Sequence, residues 1–181
     1  MFLSPGSRAK SGLVSPIPAM RLLNTLIAVN SSTLGDLKSL TEIFSVYEII
    51  LENILPASNN TTLEFQVHSG GVFQTTSYLC SNAAVQGAVN ISNPTTFIQL
   101  SAATSVQNSG SGFSGFLRIH TPYRTSAPKN IVGEGMHFDG TRVPTTIFSG
   151  YWNSSGIIDG FQILFNSGNI ASGTVKVFGI L

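Results

Sequence analysis

From Met20 onward the chain is written in short apolar runs, most of them alternating with polar residues and separated by Ser, Gly and Asn. The clearest case is the last stretch, Phe161–Leu181. Phe161, Ile163 and Phe165 alternate with Gln162 and Leu164, and after a Ser/Gly/Asn-rich loop Val175 and Val177 alternate with Lys176 and Phe178. Period-two alternation of β-branched and aromatic residues around a turn signal predicts a β-hairpin. Gly168 and Gly173 can take positive φ, and Asn166 and Asn169 tolerate it. The apolar ending Gly-Ile-Leu predicts a last strand pinned into a sheet or against another subunit.

The same signal recurs along the chain. Met20–Val29 and Leu34–Leu40 read as two strands around Asn30-Ser31-Ser32. Ile43–Leu55 carries two patterns: Phe44, Tyr47, Leu51 and Ile54 would make a helical stripe, whereas Tyr47, Ile49 and Leu51 would line one face of a strand. β-branched enrichment and the stop at Pro56 favour the strand. Leu63, Phe65 and Val67 alternate cleanly, and Gly70-Gly71 turns the chain into a strand over Val72–Cys80. Val85–Ile91 and Thr96–Ala102 follow. Ser105–Gly115 reads as an exposed flexible loop, Phe116–His120 as a strand, and the Pro- and Gly-punctuated residues 121–143 as a long excursion. Thr145–Tyr151 is the last strand before the terminal pair. Many short strands and no convincing long helix predict an all-β domain, a β-sandwich or jelly roll, over residues 20–181.

Composition adds an expectation about assembly. At 181 residues one domain is the default. Charged residues are only 9%, where about 25% is usual; Ser, Thr, Asn and Gly supply the polarity instead. So few charges protect a monomer poorly against association, which predicts a surface shared between copies of the chain over a neutral Ser/Thr coat exposed to water. Residues 1–19, with Pro5, Pro16, Pro18, Arg8 and Lys10 and no acidic residue, read as an extended arm that either docks on a neighbouring protein or is a plain disordered tail.

A net charge of +1 provides no basic stripe for nucleic acid. Cys80, the single cysteine, excludes an internal disulfide or a cysteine zinc site and reads as a buried small hydrophobe. No run approaches the about 18 apolar residues of a membrane helix, so membrane insertion is not expected. The first residues lack the charged-then-apolar order of a secretory signal, so that route of export is not expected either.

Candidate chemistry is sparse. Glu48 and Glu52 would share a strand face, but solvated surface charges explain them more simply than an acid/base pair. Glu134, His137 and Asp139 fall within one Gly-rich window; ordinary loop polarity outweighs a divalent-ion site, so neither metal nor cofactor is expected. Ser114 lacks the strand-to-helix elbow of a hydrolase nucleophile. Tyr151, Trp152 and Asn153 form the one binding-like cluster, an aromatic platform beside amides that suits a sugar ring, although the lone Trp fits core or subunit contact better. Tyr123 and Arg124, after Pro122, are weaker binding candidates in a loop. No constellation supports an enzyme.

Two blocks together resemble a family of tailed-bacteriophage virion proteins. The first is YEIILENILPASNNTTLEFQVHSGGVF over Tyr47–Phe73, a tyrosine-led strand, a Leu-Pro turn, a Leu-rich strand and a Gly-containing turn. The second joins Asp159-Gly160-Phe161, the stretch Ser167–Thr174 and the closing Phe178-Gly179-Ile180, an aromatic-Gly-aliphatic ending. The resemblance covers about the last three-quarters of the chain and includes no catalytic residue. It implies a non-enzymatic virion protein, a trimeric jelly-roll-like module, without saying where on the particle; with it, the arm over residues 1–19 is expected to attach the module to other virion proteins. A tail-fibre or tail-tip element contacting the host surface, through a cell-surface glycan in one version, is the leading expectation. The alternative is a capsid decoration or cement protein. The chain departs from long fibres in lacking a fibrous or coiled-coil shaft.

Overall fold

Every strand pairing in the computed structural model is antiparallel. The structure describes residues 19–85, 89–101, 104–126 and 128–181. The expected arm, residues 1–19, lies outside the described residues apart from Ala19. The described residues hold no helix, and the strands are β1 (Met20–Ser31), β2 (Leu34–Asp36), β3 (Val46–Pro56), β4 (Leu63–Ser69), β5 (Val72–Phe73), β6 (Tyr78–Val85), β7 (Val89–Ser92), β8 (Ile98–Gln99), β9 (Phe113–His120), β10 (Lys129–Met136), β11 (Thr145–Trp152), β12 (Gly160–Phe165) and β13 (Ile170–Ile180).

They form two sheets. The larger runs β1-β13-β3-β9-β10-β11-β6-β7, the smaller β2-β12-β4-β5 with β8 also paired to β4. Tyr47, Ile49, Leu117, Ile119, Phe148 and Val177 on the larger sheet face Phe65, Val67, Phe161 and Ile163 on the smaller, all fully or almost fully buried. The expected β-sandwich is the architecture: each alternating strand turns one apolar face to a shared core. Phe65 and Phe161 stack across neighbouring strands of the smaller sheet, centroids 5.7 Å apart, a contact worth about 0.5–1.5 kcal/mol beyond its buried area.

The terminal pair is not a hairpin. β12 lies between β2 and β4 in the smaller sheet, whereas β13 lies between β1 and β3 in the larger. Residues 166–169 therefore arch from one sheet to the other. Alternation is identical in a hairpin and an arch, because both leave one face of each strand on the core. Polar pairing at the arch selects this geometry: the Asn166 amide donates to the Thr62 carbonyl and its side-chain oxygen accepts from the Thr62 amide, each at 3.0 Å. At Gly173, φ is 138°, and a β-carbon there would stand 2.8 Å from the Cα of Ile54. Glycine is required where β13 bulges against β3.

Five other expectations change. Ser105–Gly115 is not an exposed loop throughout: Val106, Gln107 and Phe113 are buried, Val106 bridges to Thr61, and β9 begins at Phe113. Leu34–Leu40 is extended only through Asp36, whose Oδ1 then accepts from the Lys38 and Ser39 amides and turns the chain. Val72–Cys80 breaks into β5 and the start of β6, with Ser77 at φ 68° between them. Of the expected strand Thr96–Ala102, the described residues contribute only β8. The supposed excursion over 121–143 contains β10, an inner strand of the larger sheet bonded to β9 and β11. Its glycines are strand positions crossed by aromatic rings, as shown below for Gly133.

Candidate functional site

Consecutive strand residues point to opposite faces, and this divides the Tyr151-Trp152-Asn153 cluster. β11 sends Trp152 into the core, 3% exposed. The ammonium of Lys129, itself fully buried, lies 5.5 Å from the Trp152 ring centroid and donates to the Ser154 carbonyl at 2.8 Å. Burial pushes the Lys129 pKa down, because the interior disfavours its charge. Trp152 thus offers no platform to a ligand. Asn153 is exposed just past the strand end, where its amide donates to the Ser77 carbonyl. Tyr123 donates its hydroxyl to the Leu40 carbonyl at 2.6 Å, tying one loop to another, and Arg124 is exposed beside it. Burial raises the Tyr123 pKa, helped by the nearby Tyr47, Asp159 and Glu42.

Tyr151 faces the other way, onto the outer surface of the larger sheet. Strand register sets Leu79, Tyr151 and Asn130 in one row across β6, β11 and β10, and Ser81, Ser149 and Val132 in the next. These two rows, with Asn93 and His120, line a concavity of about 710 Å³. Gly150 and Cys80, between these rows, turn to the inner side, where a β-carbon on Gly150 would collide with Cys80. The Cys80 thiol donates to the Pro94 carbonyl at 3.0 Å, and burial raises its pKa. It is therefore a protonated packing group, half-buried rather than fully buried. Neither Tyr123 nor Arg124 lines this concavity.

The remaining candidates disperse. Glu48 and Glu52 do share the outer face of β3, but each has a cation across a strand: Arg118 Nε to Glu48 and Lys176 Nζ to Glu52, both at 2.6 Å. Ser114 Oγ accepts from the Asn53 amide. Glu134 is exposed on β10, while His137 is fully buried and the Asp139 carboxylate accepts from the Thr141 and Arg142 amides. Among the described residues no three His, Cys, Asp or Glu side chains converge to hold a metal ion. His68 Nδ1 lies 2.5 Å from Asp159 Oδ1, a contact between residues 91 positions apart that no spacing in the sequence announces.

Sequence reasoning found Tyr151 but not its neighbours. Ser149 was within reach, since it shares Tyr151's parity in the Thr145–Tyr151 run. Asn130 and Val132 were hidden by reading their segment as a loop. No family model, curated protein or solved structure matches the chain.

Proposed function

We propose that this chain is a non-enzymatic structural subunit of a tailed-phage virion, a tail-fibre or tail-tip type element that assembles as a homotrimer and contacts the host surface. The virion assignment draws on the likeness of Tyr47–Phe73 and of the Phe178-Gly179-Ile180 ending to such proteins. The assembly reading rests on one observation: the outer row of β1 is open and apolar apart from Thr25, with Leu22, Ile27 and Val29 exposed by 52%, 67% and 81%. β1 is an edge strand, and beside it Phe178 and Ile180 extend the apolar surface. On the same outer face the nearest charges, Glu48 with Arg118 and Glu52 with Lys176, are neutralised within the chain, while Arg21 is exposed on the opposite face of β1. A largely apolar, charge-balanced outer face fits a second copy of itself better than a charged partner.

Light scattering of the purified chain should give about three copies per particle, and a clean monomer at micromolar concentration overturns the trimer. Adsorption of the purified protein to host cells supports the tail role. Failure to adsorb, with shells that weaken when the protein is missing, assigns capsid decoration instead.

A further inference from the structure

We propose that the concavity around Tyr151 binds a neutral saccharide. This deepens the host-surface reading by naming a ligand class and a site, and it rests on that reading only for what carries the sugar. Its volume, about 710 Å³, lies within the about 300–1,000 Å³ of ligand clefts. It is centred on β11, towards the β6–β7 edge of the larger sheet, and reaches as far as Asn130 and Val132 of β10 and His120 at the end of β9. At about 4.8 Å per strand spacing, Tyr151 on β11 is about 24 Å from β1, so a copy seated on the β1 row need not cover Tyr151.

The lining selects the ligand. Tyr151 is half-buried, its hydroxyl and ring on the outer face between Leu79 and Asn130. Ser81, Asn93, His120, Asn130 and Ser149 surround it, and among the described residues none of these side chains, nor the Tyr151 hydroxyl, has a hydrogen-bond partner. Hydroxyls donate and accept, and amides do both in fixed directions, so this set matches vicinal hydroxyl groups. The ring, Leu79 and Val132 offer the apolar surface on which the C–H face of a pyranose stacks. Among the described residues no Asp, Glu, Lys or Arg lines the concavity. A phosphate, carboxylate or sulfate on the ligand would find only His120 as a cation, against a lining otherwise of hydroxyls, amides and apolar groups, so a neutral sugar fits it best.

The test uses the full chain in its own oligomeric state. Saturation-transfer NMR is recorded with chitotriose, maltotriose and mannotriose, and with sialyllactose as a charged comparison. At least one neutral trisaccharide should show transfer at millimolar concentration, and sialyllactose should not exceed it. Tyr151→Ala should weaken that binding about tenfold or more, Asn130→Ala by less, and Tyr151→Phe least because the ring remains. Tyr123→Phe, outside the concavity, should leave it unchanged. Thermal melts and light scattering check that each variant is folded and assembled. Absence of transfer from all three neutral sugars, or binding indifferent to Tyr151→Ala in a folded protein, overturns the proposal. So does a change of oligomeric state in Tyr151→Ala, which makes the concavity a contact between copies. Protein that adsorbs to host cells yet takes none of these sugars sinks the saccharide site and leaves the host-surface role. Protein that binds sugar through Tyr151 yet does not adsorb does the reverse.

Discussion

The ring of Phe148 on β11 lies across Gly133 on β10: a β-carbon built at Gly133 would stand 2.6 Å from the ring's Cε2 and Cζ. The two residues are direct register partners. The same added carbon would also approach the Phe116 carbonyl oxygen at 2.2 Å, so the strand is closed on both sides. Gly133→Ala should therefore destabilise the sandwich by about 1–3 kcal/mol or more, the usual cost of overpacking. Denaturant melts of Gly133→Ala, Phe148→Leu and the double variant would read the coupling. The double variant should be less destabilised than the sum of the singles. Strict additivity would mean that the ring does not occupy that space.

Gly133 also shows why part of the fold was illegible. In the string Gly-Glu-Gly among other glycines and prolines, nothing distinguishes a turn from a strand stripped of side chains to admit rings. Gly135 repeats the case, with the Phe113 ring in the place of its side chain. Where side chains carry the alternation, as in Leu63–Val67 and Thr145–Tyr151, the strands were readable because polarity reports the core face directly. The arch between β12 and β13 was not, since its defining bonds join Asn166 to Thr62, about 100 residues apart. Half of the aromatic cluster failed for a simpler reason: adjacent strand residues cannot share a face, so Tyr151 and Trp152 were never one platform.

Tyr47 tests the loop that closes the sandwich beside β3. Its hydroxyl is buried with the ring, accepts from the Thr41 amide at 2.8 Å and donates to the Thr41 carbonyl. Tyr47→Phe would strip partners from both backbone groups of Thr41, costing on the order of 1–3 kcal/mol. Tyr123→Phe removes a single bond, to Leu40 next door, from a less buried site, and should cost about 1 kcal/mol or less. Hydrogen exchange at the Thr41 amide should quicken in the first variant and hardly change in the second. Equal losses of stability in the two would refute this ranking.

The open row on β1 predicts how association fails. Ile27→Glu and Val29→Lys replace exposed apolar groups, so each folded monomer should keep its stability to within about 0.5 kcal/mol. Charge at the stripe should nonetheless dissociate the assembly, read as a fall in mass by light scattering without a shift in the denaturant midpoint of the isolated chain. Unchanged mass in the double variant would move the contact elsewhere on the surface.

Two buried titrating groups should oppose each other as pH changes. Burial alone raises the Glu64 carboxyl from an ordinary 4.5 to about 7; it has no hydrogen-bond partner among the described residues. The folded state then holds this proton more tightly than the unfolded chain, so stability is highest below pH 4.5 and falls as pH rises to about 7. His137 runs the other way. Its Nε2 bonds Thr104 Oγ1, which donates to the Ser101 carbonyl. The imidazole therefore carries its proton on Nε2, and Nδ1 is buried without a partner. A second proton there would have no acceptor. Burial, only partly countered by Asp139, lowers the His137 pKa from 6.5 to about 4, so its stability is present above pH 6.5 and lost as pH falls towards 4. Between 4.5 and 6.5 the two slopes offset. Relative to the parent chain, Glu64→Gln should gain on the order of 1–3 kcal/mol at pH 8 and lose that advantage as the pH drops to 4.5. His137→Phe should gain relative stability as the pH falls from 6.5 to 4. Denaturant midpoints at half-unit steps across this range give both differences, and a Glu64→Gln curve parallel to the parent's would show that Glu64 is ionised in the folded protein at ordinary acidity.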